Sequence, residues 1–206
     1  MQLVYRAIPV LIMLLVYKTA NTQTPVVDSI RKIIHAAADP SQKLRAILAY
    51  CDEYQSLNRD TAYNYALLAL DMAKQTGDER SIARAELAFA NSYYVWGWVD
   101  SALAVCDNAL KKYRAANNNV RDVYFKLLRQ RAFCYGGVSE FPKALEALYK
   151  LLNEAEQYQD SITIASTCNS LGSVFLGMGK PMEALQWISK ASMYNTGDSR
   201  FNLVKA

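Results

Sequence analysis

The stretch from residue 171 to residue 192, LGSVFLGMGKPMEALQWISKAS, sets two apolar segments around Gly177, Gly179, Lys180 and Pro181. It is either a phosphate-cradling loop or the bend between two packed helices. A phosphate loop requires Gly-x-x-x-x-Gly-Lys followed by Ser or Thr after a strand, so that backbone N–H groups hold phosphate and the hydroxyl binds a metal. Here Val174 stands at the first glycine position and Pro181 at the hydroxyl position. No strand pattern precedes them. Gly177 and Gly179 instead permit a tight reversal, and Pro181 suits the first turn of the next helix. The stretch therefore reads as a helical hairpin.

That hairpin recurs. Alanine pairs seven residues apart mark amphipathic stretches at Ala62/Ala69, Ala102/Ala109 and Ala184/Ala191, and Ala144 leads a fourth, KALEALYKLLNEA. The leading alanines are spaced by 40, 42 and 40 residues. A second helix lies upstream of each. Fixed-period self-similarity of this length marks a repeat array. Two helices approach closely where both present small side chains, so Gly172 is expected to face Ala184, and Ala90 to face Ala102.

The pattern resembles the tetratricopeptide (TPR) repeat, whose signature is W-x2-L-G-x2-Y followed by Ala, an aromatic and Pro. Leu171-Gly172 stands for the Leu-Gly, Phe175 for the Tyr, Gly179 for the turn, and Ala184, Ile188 and Ala191 fill the second helix. Phe89-Ala90, Tyr93, Gly97 and Ala102 repeat the arrangement, as do Arg131-Ala132, Tyr135 and Ala144. The period exceeds the usual 34 residues and the closing Pro is absent. HEAT or armadillo arrays share the longer period; the small-residue register favours TPR. The resemblance implies an all-α fold, an α-solenoid of antiparallel helix pairs in a right-handed superhelix. About four units are expected, at 41–78, 79–118, 119–160 and 161–197, after a capping helix at 25–40. Ser139 is expected to cap the helix that carries Pro142. Residues 198–206, DSRFNLVKA, open a further helix, either a short cap or the start of something longer.

Composition agrees with a helical core. Hydrophobic residues make up 52% of the 206, with eight glycines and five prolines. The net charge is +4, but Arg6 and Lys18 lie in the N-terminal segment, and without them 21 basic residues face 19 acidic ones. That balance gives no concentrated basic face for nucleic acid. Within residues 1–24, Arg6 precedes an 11-residue uncharged apolar run, Ala7–Tyr17, and a polar tail. This is the layout of a signal peptide. Eleven helical residues reach about 16 Å, half a bilayer's hydrocarbon thickness. Lys18 is poorly placed for cleavage at Ala20, so a retained anchor stays open. The expected location is exported, periplasmic or envelope-associated.

No catalytic set emerges. Cys51, Cys106, Cys134 and Cys168 are scattered at core-type positions, His35 is the only histidine, and no metal-ligand spacing occurs. Tyr93, Trp96, Trp98 and Trp187 fall at helical spacing and read mostly as core. The expectation is a non-catalytic module without cofactor, metal or nucleic-acid partner. In TPR proteins the first helices line a concave groove that holds peptides or partner proteins. Carrying those groove positions over gives Arg84, Leu87, Asn91 and Tyr94, then Lys126, Arg129 and Phe133, then Ser166, Asn169, Ser173 and Leu176. Arg and Lys beside Asn form a loose likeness to a carboxylate clamp. An exported array of this period is similar to sensor regions of bacterial histidine kinases and helix-turn-helix regulators. A free-standing envelope scaffold is the alternative.

Overall fold

The computed structural model describes residues 25–54 and 58–195. The N-terminal signal or anchor segment and the helix start at 198–206 lie outside the described residues. Among the described residues nine helices follow one another: α1 (Pro25–Ala36), α2 (Pro40–Tyr54), α3 (Arg59–Thr76), α4 (Glu79–Val95), α5 (Val99–Lys112), α6 (Arg121–Gly137), α7 (Phe141–Gln157), α8 (Ser161–Gly177) and α9 (Pro181–Asn195). Short polar side chains start several of them. Asn58 accepts from Thr61 N at 2.9 Å, Asp78 from Ser81 N at 2.9 Å, and Asp160 from Thr163 N at 3.0 Å. Asp39 accepts from the amides of Ser41 and Gln42, both at 3.1 Å. Each supplies an acceptor to N–H groups that the helix leaves without partners.

The helices end by a shared device. At α8, Lys180 N donates to Phe175 O and Gly179 N to Leu176 O, both at 2.9 Å, with Gly179 at φ 72°. This is the Schellman arrangement, in which a left-handed residue closes the last carbonyls. The Gly179 and Lys180 amides are therefore committed to the helix end, which excludes a phosphate cradle there. The same pair of bonds closes α4 around Gly97, α6 around Ser139 (φ 62°) and α7 around Gln159 (φ 55°). Ser139 is thus the left-handed closer of α6. The expected cap role falls instead to Glu140, whose side chain makes no capping bond. Gly177 is also not a turn residue. It is the last residue of α8, and a Cβ there would lie 3.1 Å from Phe141 Cε1, so close packing accounts for it.

Consecutive helices pack against each other, and α2, α4, α6 and α8 also touch in series. No comparable contacts join α3, α5, α7 and α9 among the described residues. A row in contact beside a row splayed apart must curve, with the contacting row inside. The molecule is an all-α solenoid of helix pairs.

The small residues of the register are buried, and Gly172 lies against Ala184. Ala62, Ala102, Ala144 and Ala184 are buried to 2% exposure or less, as is Ala90. A Cβ on Gly172 would lie 3.3 Å from the Ala184 carbonyl oxygen and 2.8 Å from Ile188 Cγ1. In α3 the buried residues are Ala62, Ala66, Ala69 and Ala73, a stripe that lets neighbouring helices approach. Larger side chains, among them Tyr50, Phe125, Leu148 and Leu171, fill the spaces between crossings. Each fully buried leucine contributes about 1.5–3 kcal/mol of apolar burial. Trp98 departs from the core expectation: it stacks on Trp96 at 5.4 Å and remains 49% exposed.

Replacing Gly172 by valine should destabilise the protein by about 1–3 kcal/mol through overpacking. Alanine should cost less, because Ile188 sits at an open edge and can rotate. Equilibrium urea unfolding reads both, and an unchanged midpoint for Gly172→Val would refute the close approach. The four cysteines are free and buried. Burial lifts the Cys51 thiol to about 12 and Cys134 to about 11, and raises Cys106 and Cys168 as well. Since the thiolate is the reactive form, a thiol reagent at pH 8 should label none of the four within minutes. In denaturant all four should react, and rapid native labelling of one would contradict this burial.

Candidate functional site: the concave groove

The residues expected to line the groove all lie on the row of first helices, yet they do not share one environment. Leu87, on α4, is buried at 5% exposure and serves the core. Arg84 is held at 2.5 Å by Asp52 of α2. One turn earlier, Arg80 clasps Asp122 of α6 through two bonds of 2.7 and 2.8 Å, and also donates to the Asn119 carbonyl. Both pairs remain in contact with solvent, so each adds little stability. They do settle which charges are already compensated.

Arg129 differs. It projects from α6 between Lys126 and Phe133 and is partly buried. Burial lowers its pKa from the usual arginine value, and no opposing charge compensates. Its guanidinium makes no hydrogen bond or ion pair with the described residues. It stays charged at neutral pH, because an arginine pKa lies far above 7. A desolvated cation without a partner costs free energy that a ligand anion would recover. Arg129 lines a cavity of about 370 Å³ between α6 and α8, with Asp122, Phe125, Lys126, Ile162 and Ser166. Asp160 also lines it; Asp122 is already engaged by Arg80 and Asp160 by the Thr163 amide and hydroxyl, which leaves Lys126 and Arg129 as the cations facing this space. A related cavity of about 420 Å³ between α2 and α4 is lined by Arg45, Arg80 and Arg84. There, Asp122 and Asp52 already answer two of the three charges.

Asn91 places its Oδ1 in a buried position with no hydrogen-bond partner. It is enclosed by the protein and does not face the groove. Tyr94 lays its ring over Gly137: a Cβ there would sit 3.4 Å from Tyr94 Cε2. Phe133 is half-buried. On α8, Asn169 and Ser173 are exposed, and Ser173 Oγ donates to the Asn169 carbonyl at 3.1 Å. Ser166 Oγ donates to the Thr163 carbonyl at 3.0 Å. Such back-bonding commits the hydroxyl hydrogens to the helix and leaves oxygen lone pairs toward the groove. The groove therefore presents Lys126 and Arg129 on α6 and hydroxyl acceptors on α8.

Sequence reasoning missed Asp52, Asp122, Ile162 and Thr163. The cues were present but not local: Asp52 and Arg84 are 32 residues apart, and Arg80 and Asp122 are 42 apart. Among the described residues no group of three or more His, Cys, Asp or Glu is placed to hold a metal ion, and no helix is long and apolar enough to cross a membrane.

The solved structures include a similar fold, a crystal structure of BtubC (BKLC) from P. vanneervenii. It shares 14% identity, covers 83% of this chain and 72% of its own, and gives a TM-score of 0.61. At that identity the likeness speaks to fold alone. No curated protein sequence matches. The family model described as the SusR N-terminal TPR domain matches residues 19–199. Stacked TPR hairpins, with the small-residue crossings seen here, are protein–protein interaction modules. The chain belongs to the SusR N-terminal TPR domain family.

Proposed function

We propose that this chain is the sensor region of an exported bacterial signalling protein and binds an acidic peptide segment of a protein partner in its concave groove. The observation that carries the reading is Arg129: a desolvated guanidinium without a protein anion, beside Lys126, on a cavity of about 370 Å³. A carboxylate of the partner accepts from Arg129 and Lys126 in charge-assisted bonds. The partner's main-chain N–H groups donate to the serine oxygens of α8. Tyr94, Phe133 and Asn169 border the same surface. The basic, apolar and polar order of residues 1–24 supports export, and the family match begins only at residue 19, after the apolar run.

The groove reading is tested by fluorescence anisotropy with labelled decapeptides rich in Asp and Glu, against Lys-rich controls. Acidic peptides should bind more tightly, and Arg129→Glu should weaken them about 10- to 100-fold, the equivalent of about 1.5–3 kcal/mol for bonds to a charged group. Arg129→Lys should fall between, because it keeps the charge and loses the planar fork. Equal binding of acidic peptides by wild type and Arg129→Glu would remove the cavity from the site.

A further inference from the structure

Each inner second helix carries one residue pressed beneath the following unit, four positions after its leading alanine. Ala66, Cys106 and Leu148 occupy this position, and each is 0% exposed. In α9 the corresponding residue is Ile188, which is 42% exposed. Beside it Leu185 is also exposed. Ile188 touches Gly172 of α8, so the bare strip runs along the seam between α8 and α9. In the inner units that seam is where the next first helix packs. Among the described residues nothing fills it here.

The sequence beyond α9 repeats a pattern found once before. Thr196-Gly197-Asp198-Ser199-Arg200 matches Thr76-Gly77-Asp78-Glu79-Arg80 as Thr-Gly-Asp-x-Arg. The two lie 120 residues apart, three repeats of about 40, and both follow a second helix. At the first copy the structure shows what the pattern does. Thr76 Oγ1 donates to the Ala73 carbonyl, Gly77 at φ 68° ends α3, and Asp78 caps α4. It is a helix stop joined to a helix start.

We propose that residues 198–206 of this chain cover the open apolar seam of α8 and α9 as the first helix of a further unit, with Leu203 and Phe201 as its anchors. The register follows from the cap. Five residues after the cap, α4, α6 and α8 place Ala83, Phe125 and Ala165, which are 0%, 2% and 3% exposed. Five residues after Asp198 is Leu203. Three after the cap stand Ser81, Val123 and Thr163, buried or half-buried, and here Phe201. Six after the cap stand the groove residues Arg84, Lys126 and Ser166, and here Val204. Asn202 falls where Ile82, Tyr124 and Ile164 stand, which leaves the anchoring to its two apolar neighbours. Terminal units need a cover of this kind, since a bare hairpin face cannot be buried by its own pair.

Hydrogen exchange on the full chain reads the proposal directly. Leu203→Asp should make the amides of α9 exchange at least tenfold faster and leave α4 to α6 unchanged, which also reports that the array is folded. Val204→Asp, one residue on and facing the groove, should leave α9 as in the wild type. Equal α9 exchange in wild type and Leu203→Asp would overturn the proposal, and so would equal acceleration by both variants. Loss of wild-type α9 protection on dilution to monomer would assign the seam to a second copy and overturn it as well.

Discussion

The structure depends on how closely two helix backbones approach at the crossing within each pair. At Gly172 the room left for a side chain is less than one methyl group needs, with the Ala184 carbonyl and Ile188 already there. Fully buried alanines mark the other pairs. Close crossings turn side chains elsewhere into ridges that must interlock. They also set the tilt of each pair, and a constant tilt repeated along the chain makes a curved array. The 40-residue period is the sequence trace of that steric requirement.

Curvature then does what no loop does here. The first helices touch in series while the second helices diverge, so one row becomes a continuous inner wall. Residues three, four and seven apart on each inner helix point to the same side. Units that are distant in sequence thereby line one groove. Its charges are paired between units: α2 with α4 through Asp52 and Arg84, and α4 with α6 through Arg80 and Asp122. The ladder stops at the step from α6 to α8. Ile162 stands where Arg80 and Asp122 stand in the two preceding first helices, so no ion pair bridges that step.

The fold was legible because its decisive contacts are local and periodic. Alanine spacing gave the hairpins, and Gly172 and Ala184 marked a crossing that the structure contains. The groove was legible only as a list of positions. That Leu87 would be buried and Arg84 neutralised depends on the partner helix, which single-helix periodicity does not encode. Ser139 misled for a related reason: serine is a good cap in isolation, but the Schellman closure of α6 claimed that position first and imposed a left-handed backbone. Gly177 looked like a turn residue, and its neighbour in space is Phe141. Trp98 fell at a core-like spacing, yet it stacks on Trp96 at the end of a hairpin, with Tyr63 and Tyr93 against its ring, and stays half exposed.

An uncompensated Arg129 is hard to explain as a stability feature. A leucine occupies the equivalent position of α4, as Leu87, and is buried without cost. At the next unit Asn169 takes the place and is exposed. Only in α6 does the position combine charge with partial burial. A guanidinium there weakens the free protein by its desolvation and strengthens any complex that brings an anion, so its net effect has the sign of a binding device. The neighbouring acceptors strengthen that argument. The α8 serines have already directed their hydrogens to their own backbone, which leaves their lone pairs to accept. A ligand that offers an anion on one side and N–H donors on the other would satisfy both sets at once. An extended polypeptide with an acidic side chain has that chemistry.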